Sequence, residues 1–491
     1  MPAATPTETT TTTTALGRRG RDRPLLQSAP LRRLRDVIVA AGGRAVAVGG
    51  CVRDGLLGAT AKDVDVEVYG LALPTLEAAL VAADCSVSAV GRSFGVLKVQ
   101  LTADGDTEVI DVALPRTENK VGQGHRGFVV QSDPFLSFAQ AASRRDFTIN
   151  AMGVDLQTGA LLDPWGGVND LEAGVLRHVS SAFDEDPLRV LRGAQFCARF
   201  GLMPAAETIA RCVSLRHELK TLAVERVGEE MKKLLLKGVW PSLGLQLLRH
   251  SGALDVLFPE LAALIGCPQE PEWHPEGDVW VHTLLVVDEA ARLVREARLG
   301  DADALLVVLA ALCHDLGKPA TTAVEDGRIR SRDHESQGEA PTRSLCARLG
   351  IARADEDVVV ALVKDHLKPF MLWRDRHNLG DAAIRRLATR VSVPLLVHVA
   401  TADCFGRTTP DALRREDPAG PWLLERARAL AVADHAPTPL LQGRDLQQQG
   451  LTPGKHFGAL LKEAFEAQLE GSFVDHPGAV LWLKARLQRS T

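Results

Sequence analysis

The sequence predicts an α+β protein with a small α/β head built on a mixed sheet, followed by an all-helical body. Two observations predict this class. Strand-like segments are concentrated between residues 44 and 114, whereas amphipathic helical patterns fill the chain beyond about residue 160. With 491 residues, 46% hydrophobic and 24% charged, the chain has room for two to four domains. Its composition lies outside the collagenous and disordered classes.

The elements of the head are predicted from the spacing of apolar residues, which recur every third or fourth position in a helix and every second in a strand. In chain order they are a helix at Leu31–Ala41, a strand at Arg44–Val48, a glycine turn with a following helix, a strand at Asp63–Tyr69, a helix at Leu73–Ala83, and strands at Val96–Leu101 and Glu108–Leu114. Residues 115–132 are polar and contain glycine, which predicts a mobile loop.

Composition and cysteine usage exclude several classes of protein. No stretch reaches the ~18 consecutive apolar residues of a membrane helix, so we expect no membrane partner. The eight cysteines are scattered without a CxxC pair, which is typical of buried thiols in a reducing compartment. Residues 1–24 are rich in threonine and lack the apolar segment of a secretory signal. They predict a disordered extension, with an organelle transit peptide as the alternative.

Carboxylates beside a glycine turn form the first candidate site. Asp63 and Asp65 alternate on a predicted strand, so their side chains are expected on one face, close enough to repel each other. Mg²⁺ relieves such repulsion and binds through one or two carboxylates plus substrate phosphates. Asp111 offers a third carboxylate, while the turn at 49–50 and Arg53 suit a phosphate. The set predicts metal-dependent nucleotide transfer; the alternative is a strand end with solvated acids.

Two arginine-containing segments follow the carboxylates. In RRDFTINA, residues 144–151, two guanidinium groups adjoin polar groups, which favours phosphate binding over an ordinary helix start. In EDPLRVLR, Asp186 is predicted to cap a helix that begins with the following proline, and Arg189, three residues on, is expected on the same helix face. A carboxylate accepts from the amino group of cytosine or adenine, and an arginine donates to the ring nitrogen beside it. The pair predicts selection of C and A without a template, with a local ion pair as the alternative.

Spaced histidines and aspartates form a second kind of site between residues 273 and 403. His314 and Asp315 are adjacent in an apolar setting, which puts two metal ligands on one turn. The other members of the pattern are His282, His334, His366 and Asp403. Imidazole and carboxylate together suit a hydrolase centre, although a single such histidine is more often a core residue.

The order of the first motifs resembles a known superfamily. GGCVRD, KDVDVEV, RRDFTINAM, DPWGGVNDLEAGVLRH, FDEDPLRVLR and ERVGEEMKKLL resemble segments of class II tRNA nucleotidyltransferases (CCA-adding enzymes) and bacterial poly(A) polymerases, over residues 40–265. The resemblance implies that Asp63 and Asp65 hold Mg²⁺, with Asp111 as the third catalytic carboxylate. It assigns nucleotide binding to Gly50, Arg53, Arg145, Asn150, Asp186, Arg189 and Arg192. Gln195 departs from the family, where an arginine is common one turn after Arg192.

The histidine pattern resembles the HD phosphohydrolase superfamily, and the segment WHPE at 273–276 resembles the HD region of multifunctional CCA-adding proteins. This resemblance implies a divalent metal, Mg, Mn, Ni or Co, held by His282, His314, Asp315 and Asp403. It leaves His334 and His366 as further ligands or substrate contacts.

Together the resemblances predict template-independent addition of CCA to the 3′ end of tRNA from CTP and ATP, with phosphoester hydrolysis for RNA 3′-end repair. We expect a cytoplasmic monomer or homodimer. Three alternatives remain. The first is a poly(A) polymerase or an enzyme that adds only A or only CC. The second is an HD phosphodiesterase or phosphatase whose head only binds RNA. The third is a non-catalytic RNA-binding protein.

The predicted domains follow these motifs. They are the N-terminal extension 1–24, the head 25–160, a helical neck and body 161–268, an HD domain 269–410 and a helical tail 411–491, for which RNA support and simple packing are both open. The net charge of −5 and the aromatic content of 4% at first argue against a nucleic-acid partner. Residues 186–250, however, hold eleven basic and six acidic side chains, a net charge of +5. A locally basic face is enough for an RNA backbone.

Overall fold

A computed structural model describes residues 28–59, 63–88, 96–120 and 128–489, without the side chains of residues 117–131. The chain divides into two compact units. The first comprises Met1–Val190 and Leu202–Thr221, and the second comprises Leu191–Gly201 and Leu222–Thr491. A mixed sheet in the first unit and helices in the second confirm the predicted α+β class. The predicted N-terminal extension lies outside the described residues.

The first unit is built on a seven-stranded sheet with the order β3-β4-β5-β2-β1-β8-β9. The strands of this unit are β1 Arg44–Val48, β2 Asp65–Tyr69, β3 Ser86–Ser88, β4 Val96–Ala103, β5 Asp106–Ala113, β6 Arg116–Lys120, β7 Phe128–Ser132, β8 Gly153–Asp155, β9 Leu161–Leu162, β10 Val175–Leu176 and β11 Met203–Pro204. Strands β2 and β5 run parallel, whereas the other neighbours in the sheet are antiparallel. The sheet is therefore mixed, as the sequence predicts.

Helices cover both faces of this sheet. The helices of the unit are α1 Ala29–Ala40, α2 Gly50–Leu56, α3 Leu73–Ala82, α4 Phe138–Ala142, α5 Gly167–Ala173 and α7 Ala206–Leu215, while α6, Leu188–Phe200, runs from this unit into the second. Apolar residues of α1 and α3 pack with Val66 and Val68 on one face. Phe138 of α4 packs with Val46 and Val48 on the other. Burial on both faces fixes the strand register that positions the site residues.

Two details of the head differ from the sequence prediction. Strand β2 begins at Asp65, because its pairing with β1 ends at Val48 and the chain turns at Gly49. Asp63 therefore precedes the strand. The polar segment 115–132, predicted as a loop, contains the antiparallel pair β6 and β7, whose first strand lacks the alternation that would reveal it. The stretch between these strands, 121–127, lies outside the described residues.

The second unit is mainly helical. Its remaining helices are α8 Val224–Lys237, α9 Pro241–His250, α10 Ala253–Leu257, α11 Pro259–Ala262, α12 Val279–Glu296, α13 Asp301–Cys313, α14 Lys318–Thr321, α15 His334–Gln337, α16 Glu339–Arg348, α17 Arg353–Asp365, α18 Lys368–Arg374, α19 Ala382–Ala388, α20 Val393–Phe405, α21 Pro410–Leu413, α22 Ala419–Ala429, α23 Gly443–Gln448, α24 Lys455–Glu470 and α25 His476–Gln488. A hairpin, β12 Thr322–Glu325 and β13 Arg328–Ser331, interrupts them. This hairpin departs from the wholly helical HD domain that the sequence predicts. The short pair β10 and β11 likewise departs from an all-helical neck.

Helices α12, α13, α17 and α20 contact one another at the centre of the second unit. One described stretch, Asp301–Thr321, passes a length and hydropathy test for a membrane span, but 72% of its most apolar window is buried inside the protein. That burial is typical of a core helix. All eight cysteines are free thiols, as predicted from their spacing.

Candidate active sites

The carboxylates of the head meet where β2 and β5 run side by side. Asp65 pairs in register with Asp111, and Asp63 precedes the same strand by two residues. The pKa of the Asp65 carboxyl lies above its usual range, first through desolvation, with the charges of Asp111 and Asp63 adding to the effect and Arg145 opposing it. The structure thus brings together the three predicted acids. Their mutual repulsion is of the kind that a divalent cation relieves.

Arginines surround the glycine turn beside these acids. Arg53 is buried, and its Nη1 donates to Oδ1 of Asn150 at 2.5 Å. Arg145 donates from Nη2 to Oε1 of Glu67 at 2.7 Å and from Nη1 to the carbonyl oxygen of Asn150 at 3.4 Å. Gly49 has a φ of 78°, and a Cβ there would lie 3.0 Å from Nη1 of Arg145. The predicted anion-binding residues therefore lie together around a turn that leaves no room for a side chain.

Glu67 is a residue of this site that the sequence reasoning missed. Its carboxylate binds Arg145 and also accepts a 2.7 Å hydrogen bond from the hydroxyl of Tyr69. The alternation that placed Asp65 on one face of the strand continues to Glu67 and could have identified it. Glu67 binds the guanidinium of Arg145, whose charge acts on Asp65.

The predicted base-reading pair lies at the start of α6. Asp186 has extended backbone and caps the helix, because its Oδ1 accepts from the amide of Leu188 at 3.0 Å. Asp186 thus precedes the helix instead of sharing its face, although the predicted cap is confirmed. Arg189 donates to the carbonyl oxygens of Ala182 and Arg144 at 2.6 and 2.9 Å. These bonds fix the guanidinium within the first unit.

Arg192 and Gln195 follow on α6 in the second unit. The guanidinium carbon of Arg192 lies 5.4 Å from the centre of the Phe196 ring, and Gln195 is buried. An arginine in place of Gln195 would put an unshielded charge in that buried position, which costs far more than burying an amide. The departure from the family pattern therefore fits the local packing.

The six predicted residues of the HD region converge in the second unit. His282 lies on α12, His314 and Asp315 follow α13, His334 begins α15, His366 follows α17, and Asp403 lies on α20. All six are buried. Nε2 of His282 lies 3.1 Å from Oδ1 of Asp403 and 3.3 Å from Nε2 of His314. Nε2 of His314 lies 3.1 Å from Oδ2 of Asp315.

The backbone sets the orientation of these imidazoles. Nδ1 of His314, His334 and His366 faces the carbonyl oxygen three residues earlier, at 2.8, 2.9 and 2.6 Å. A carbonyl only accepts, so each Nδ1 carries a proton, and each Nε2 offers a lone pair to the centre once it is unprotonated. Nε2 of His334 is buried without a hydrogen-bond partner among the described residues. Lone pairs and carboxylates aimed at one centre fit a divalent metal.

The ligand atoms fall into groups that share residues. Among the described residues, the sets of three ligand atoms within 4.8 Å of one another are His274, Glu276 and His282; His282, His314 and Asp315; and Asp315, His334 and His366. Asp315 thus links His282 and His314 to the two further histidines, while Asp403 adjoins His282 at 3.1 Å without joining one of these sets. The head acids form no such set within the described residues, as expected where substrate phosphates supply the remaining ligands.

Glu276 and His274 support the HD centre, although the sequence reasoning gave them no role. Oε1 of Glu276 lies 2.9 Å from Nδ1 of both His274 and His282. Its Oε2 accepts from the backbone amide of Thr408 at 3.1 Å. These contacts hold the pKa of Glu276 well below its usual range despite burial, and burial lowers the pKa of His274 to about 4. The WHPE segment that contains both residues was the available signal.

Two cations adjoin the aspartates of the HD centre. Lys318 lies 2.7 Å from Oδ2 of Asp315, and Arg407 lies 3.0 Å from Oδ2 of Asp403. Burial would raise the pKa of both aspartates, but His314 and Lys318 hold the pKa of Asp315 well below its usual range. Arg407 and His282 do the same for Asp403. Both carboxylates therefore favour the ionised form that a metal ligand requires.

Comparison with known proteins places these sites in a family. Three family models match: the poly A polymerase head domain at residues 45–177, the probable RNA and SrmB-binding site of polymerase A at 201–265, and the HD domain at 279–408. The fold, the two sites and these matches define a nucleotidyltransferase with an attached HD phosphohydrolase domain. A multifunctional CCA protein of Xanthomonas campestris is 38% identical over 429 residues, which cover 85% of this chain and 96% of the relative. The chain belongs to the multifunctional CCA protein family.

Other relatives agree with this assignment. A multifunctional CCA protein of Stenotrophomonas maltophilia is 43% identical over 348 residues, covering 70% of this chain and 79% of that protein. A CCA-adding enzyme solved with ATP has a TM-score of 0.61 at 20% identity, covering 94% of this chain and 95% of that one. The Thermotoga maritima CCA-adding enzyme complexed with tRNA has a TM-score of 0.58 at 21% identity, covering 93% and 95%. The solved structures share the fold.

Proposed function

We propose that this protein adds CCA to the 3′ end of tRNA from CTP and ATP and hydrolyses phosphoesters at RNA 3′ ends in its HD domain. The observation that carries the first activity is the convergence of Asp63, Asp65 and Asp111 on the arginine-lined glycine turn. Family membership supports the pairing of both activities in one chain. These substrates make the cytoplasm the expected location, and a monomer or homodimer stays the prediction for the assembly.

For nucleotide addition, Asp63 and Asp65 would hold Mg²⁺, which lowers the charge of the triphosphate and the pKa of the attacking 3′-hydroxyl. Asp111 lies beside Asp65 and is assigned to help take the hydroxyl proton. Arg53 and Arg145 would bind the triphosphate and stabilise the charge that develops on pyrophosphate. Gly50 lies next to the Arg53 guanidinium, since a Cβ there would make an ordinary van der Waals contact with it at 3.5 Å.

The choice of base is assigned to the start of α6. Asp186 and Arg189 would pair with the edge of C or A, and Arg192 and Asn150 would make further nucleotide contacts. Arg189 is held by two backbone carbonyls, so its guanidinium is fixed before the base arrives. A fixed donor reads hydrogen bonds at low entropic cost.

For hydrolysis, His282, His314, Asp315 and Asp403 would hold a divalent metal, Mg, Mn, Ni or Co. The metal would polarise the phosphoester and lower the pKa of the attacking water. His334 and His366 serve as further ligands or substrate contacts, which their shared grouping with Asp315 supports. The domain boundaries 25–160, 161–268, 269–410 and 411–491 stay part of this proposal.

One experiment separates this function from its rivals. The purified protein is incubated with tRNA that ends at the discriminator base and with CTP alone, ATP alone, or both. Growth by three nucleotides only with both substrates supports CCA addition. Long ladders with ATP favour a poly(A) polymerase, and growth by one A or two C residues favours a partial adding enzyme. The buried Gln195 departs from the family pattern, and this departure is the reason for testing the rival activities.

Paired variants test the assignment of two activities to two sites. Asp63→Ala should abolish nucleotide addition and leave phosphoester hydrolysis intact, whereas Asp315→Asn should do the reverse. Equal loss of both activities in either variant would contradict two independent sites. Hydrolysis without any addition by the unmodified protein would favour a hydrolase whose head only binds RNA.

A further inference from the structure

Strand β2 carries two further polar side chains behind the catalytic carboxylates of the head. Side chains two residues apart on a strand share one face, so Asp65, Glu67 and Tyr69 form one row. In the pairing with β1, Asp65 lies opposite Val48 and Glu67 lies opposite Val46. Two residues of a strand span about 7 Å. The row therefore leads from the candidate metal site into the interior of the head.

Glu67 joins Tyr69 to Arg145 through its two carboxylate oxygens. The hydroxyl of Tyr69 donates to Oε2 at 2.7 Å, and Nη2 of Arg145 donates to Oε1 at 2.7 Å. Tyr69 is buried, and its ring packs edge to face against Phe138 with 6.5 Å between the ring centres. Burial and the charge of Glu67 raise the pKa of Tyr69 far above its usual range, so the hydroxyl keeps its proton. A packed phenol therefore gives the carboxylate a fixed anchor.

Arg145 is held by these contacts without using all of its donors. A guanidinium has five N–H groups. Nη2 donates to Glu67 and Nη1 to the carbonyl oxygen of Asn150 at 3.4 Å, while the buried Nε has no hydrogen-bond partner among the described residues. The charge of Arg145 also acts on Asp65. Glu67 thus fixes the orientation of the guanidinium and leaves it N–H groups for an anionic ligand.

We propose that Tyr69 and Glu67 are positioning residues that fix Arg145 for the triphosphate during nucleotide addition. This inference rests on the proposed nucleotide addition and adds two residues to that same site. Both oxygens of Glu67 already accept from a donor, so this arrangement does not offer Glu67 as a further metal ligand. A guanidinium that is oriented before the substrate arrives stabilises the charge that develops on pyrophosphate without reorganisation during the reaction.

Single-turnover addition of C to tRNA that ends at the discriminator base tests the inference through Glu67→Ala. The rate at saturating CTP should fall by about 10- to 100-fold, because a misplacement of 1 Å in a positioned group can cost about 100-fold. The half-saturation concentration of CTP should not rise, because Arg145 loses its anchor but also loses a neighbouring negative charge. Addition of A to tRNA that ends in CC should fall by a similar factor, since CTP and ATP share the triphosphate.

Further variants show whether Tyr69 acts through Glu67. Glu67→Gln keeps an acceptor oxygen for Arg145 and should restore much of the rate. Tyr69→Phe removes only the hydroxyl, so it should lower the rate in the unmodified protein and have no effect in the Glu67→Ala background. Glu108→Gln is the matched control, because Glu108 is another carboxylate of the head that accepts from a hydroxyl, that of Ser28 at 2.9 Å. It should leave the rate unchanged, and thermal denaturation checks that every variant is folded.

A spectroscopic measurement reports on the same contacts without turnover. Tyr69 is the only tyrosine of the chain, so 3-fluorotyrosine labels the full-length protein at a single site. We expect its fluorine-19 resonance to shift when CTP and Mg²⁺ are added without tRNA, and this shift to be lost in Glu67→Ala. A tyrosine that served packing alone would not respond to the triphosphate through Glu67.

Three results would overturn the positioning roles. They are an unchanged rate in folded Glu67→Ala, a further loss from Tyr69→Phe in that background, and a resonance that does not move at CTP concentrations that saturate addition. If the unmodified protein adds CCA and any of these results is found, the inference is wrong and the proposed addition stands. If the unmodified protein adds no nucleotide to tRNA, the proposed addition is wrong, and the inference fails with it.

Discussion

Replacing Glu276 by glutamine is the sharpest test of how the HD centre is held. The carboxylate serves two sides at once, with Oε1 2.9 Å from Nδ1 of His274 and His282 and Oε2 accepting from the amide of Thr408. An amide has one acceptor oxygen. If that oxygen faces the imidazoles, the NH₂ group meets the N–H of Thr408; if the amide is reversed, it meets the protonated Nδ1 atoms. In either orientation, the NH₂ group of the glutamine faces another hydrogen-bond donor, and no hydrogen bond can form there.

The size of the effect follows from this geometry. Glu276→Gln removes the charge that orients His282 and at least one charge-assisted hydrogen bond, each worth ~1.5–3 kcal/mol. Loss of a carboxylate behind a metal-bound histidine costs about 10–100-fold in metal affinity or activity. We therefore expect metal binding at the HD site to weaken by about 1.4 to 2.8 kcal/mol. Nucleotide addition in the head should not change.

Competition with a chelating indicator for Ni²⁺ measures this affinity, because an imidazole-rich site favours Ni²⁺ over the all-carboxylate head. Glu272→Gln is the matched control, since Glu272 lies on the same segment, is exposed and pairs with Arg328. Its Ni²⁺ affinity should equal that of the unmodified protein. A Glu276→Gln variant that binds Ni²⁺ within about twofold of the unmodified protein would refute the orienting role, because the expected loss is at least about tenfold.

Three further predictions concern packing, pH and metal retention. A Cβ at Gly317 would lie 2.0 Å from the carbonyl oxygen of His334, so Gly317→Ala should displace that histidine and lower hydrolysis. Gly300→Ala is the control, because a Cβ at Gly300 meets open space, and it should leave hydrolysis unchanged. Equal hydrolysis by the two variants would contradict this prediction. Burial raises the pKa of Asp288 from 3.8 to about 6. The folded state therefore binds this proton more tightly, and stability falls as the pH rises from about 4 to 6. Asp288→Asn should raise Tm at neutral pH and leave it nearly unchanged below about pH 3, where both states hold the proton. A pH-independent difference in thermal denaturation would count against this. After dialysis without nucleotide, elemental analysis should find metal in the HD domain and little in the head, and the reverse distribution would contradict the assignment.

The sequence predicted most of both sites, because their residues occupy short motifs in a fixed order. Strand β1 has its predicted bounds, and the parallel register of β2 and β5 places Asp65 opposite Asp111. The residues that the sequence did not identify take their roles from contacts between segments that are distant along the chain. The partnership of Glu67 with Arg145 joins residues 78 apart, and that of Glu276 with Thr408 joins residues 132 apart. No local periodicity reports such pairs.

Local structure was less predictable where the chain is polar or short. The strand β6, RTENK, has no hydrophobic alternation, so its pairing with β7 leaves no periodic signal. The hairpin of β12 and β13 has only four residues per strand and sits among long helices. Pro319, Pro369 and Pro410, each of which would break a helix that ran through it, lie in the first turns of α14, α18 and α21. Proline suits a first helical turn, so the same residues also mark starts.

The two candidate metal sites have opposite electrostatic arrangements, and this difference predicts that they depend differently on substrate for binding a metal. In the head, desolvation and neighbouring acids raise the pKa of Asp65, and Arg145 is engaged by Glu67. A cation would therefore compete with a proton for the Asp65 carboxylate until phosphates arrive to complete the coordination. In the HD centre, cations and histidines keep Asp315 and Asp403 ionised before any metal binds. A metal there would need no proton release from these two carboxylates and no substrate. We therefore expect the HD site to keep its divalent metal without substrate and the head to take up its metal together with the nucleotide.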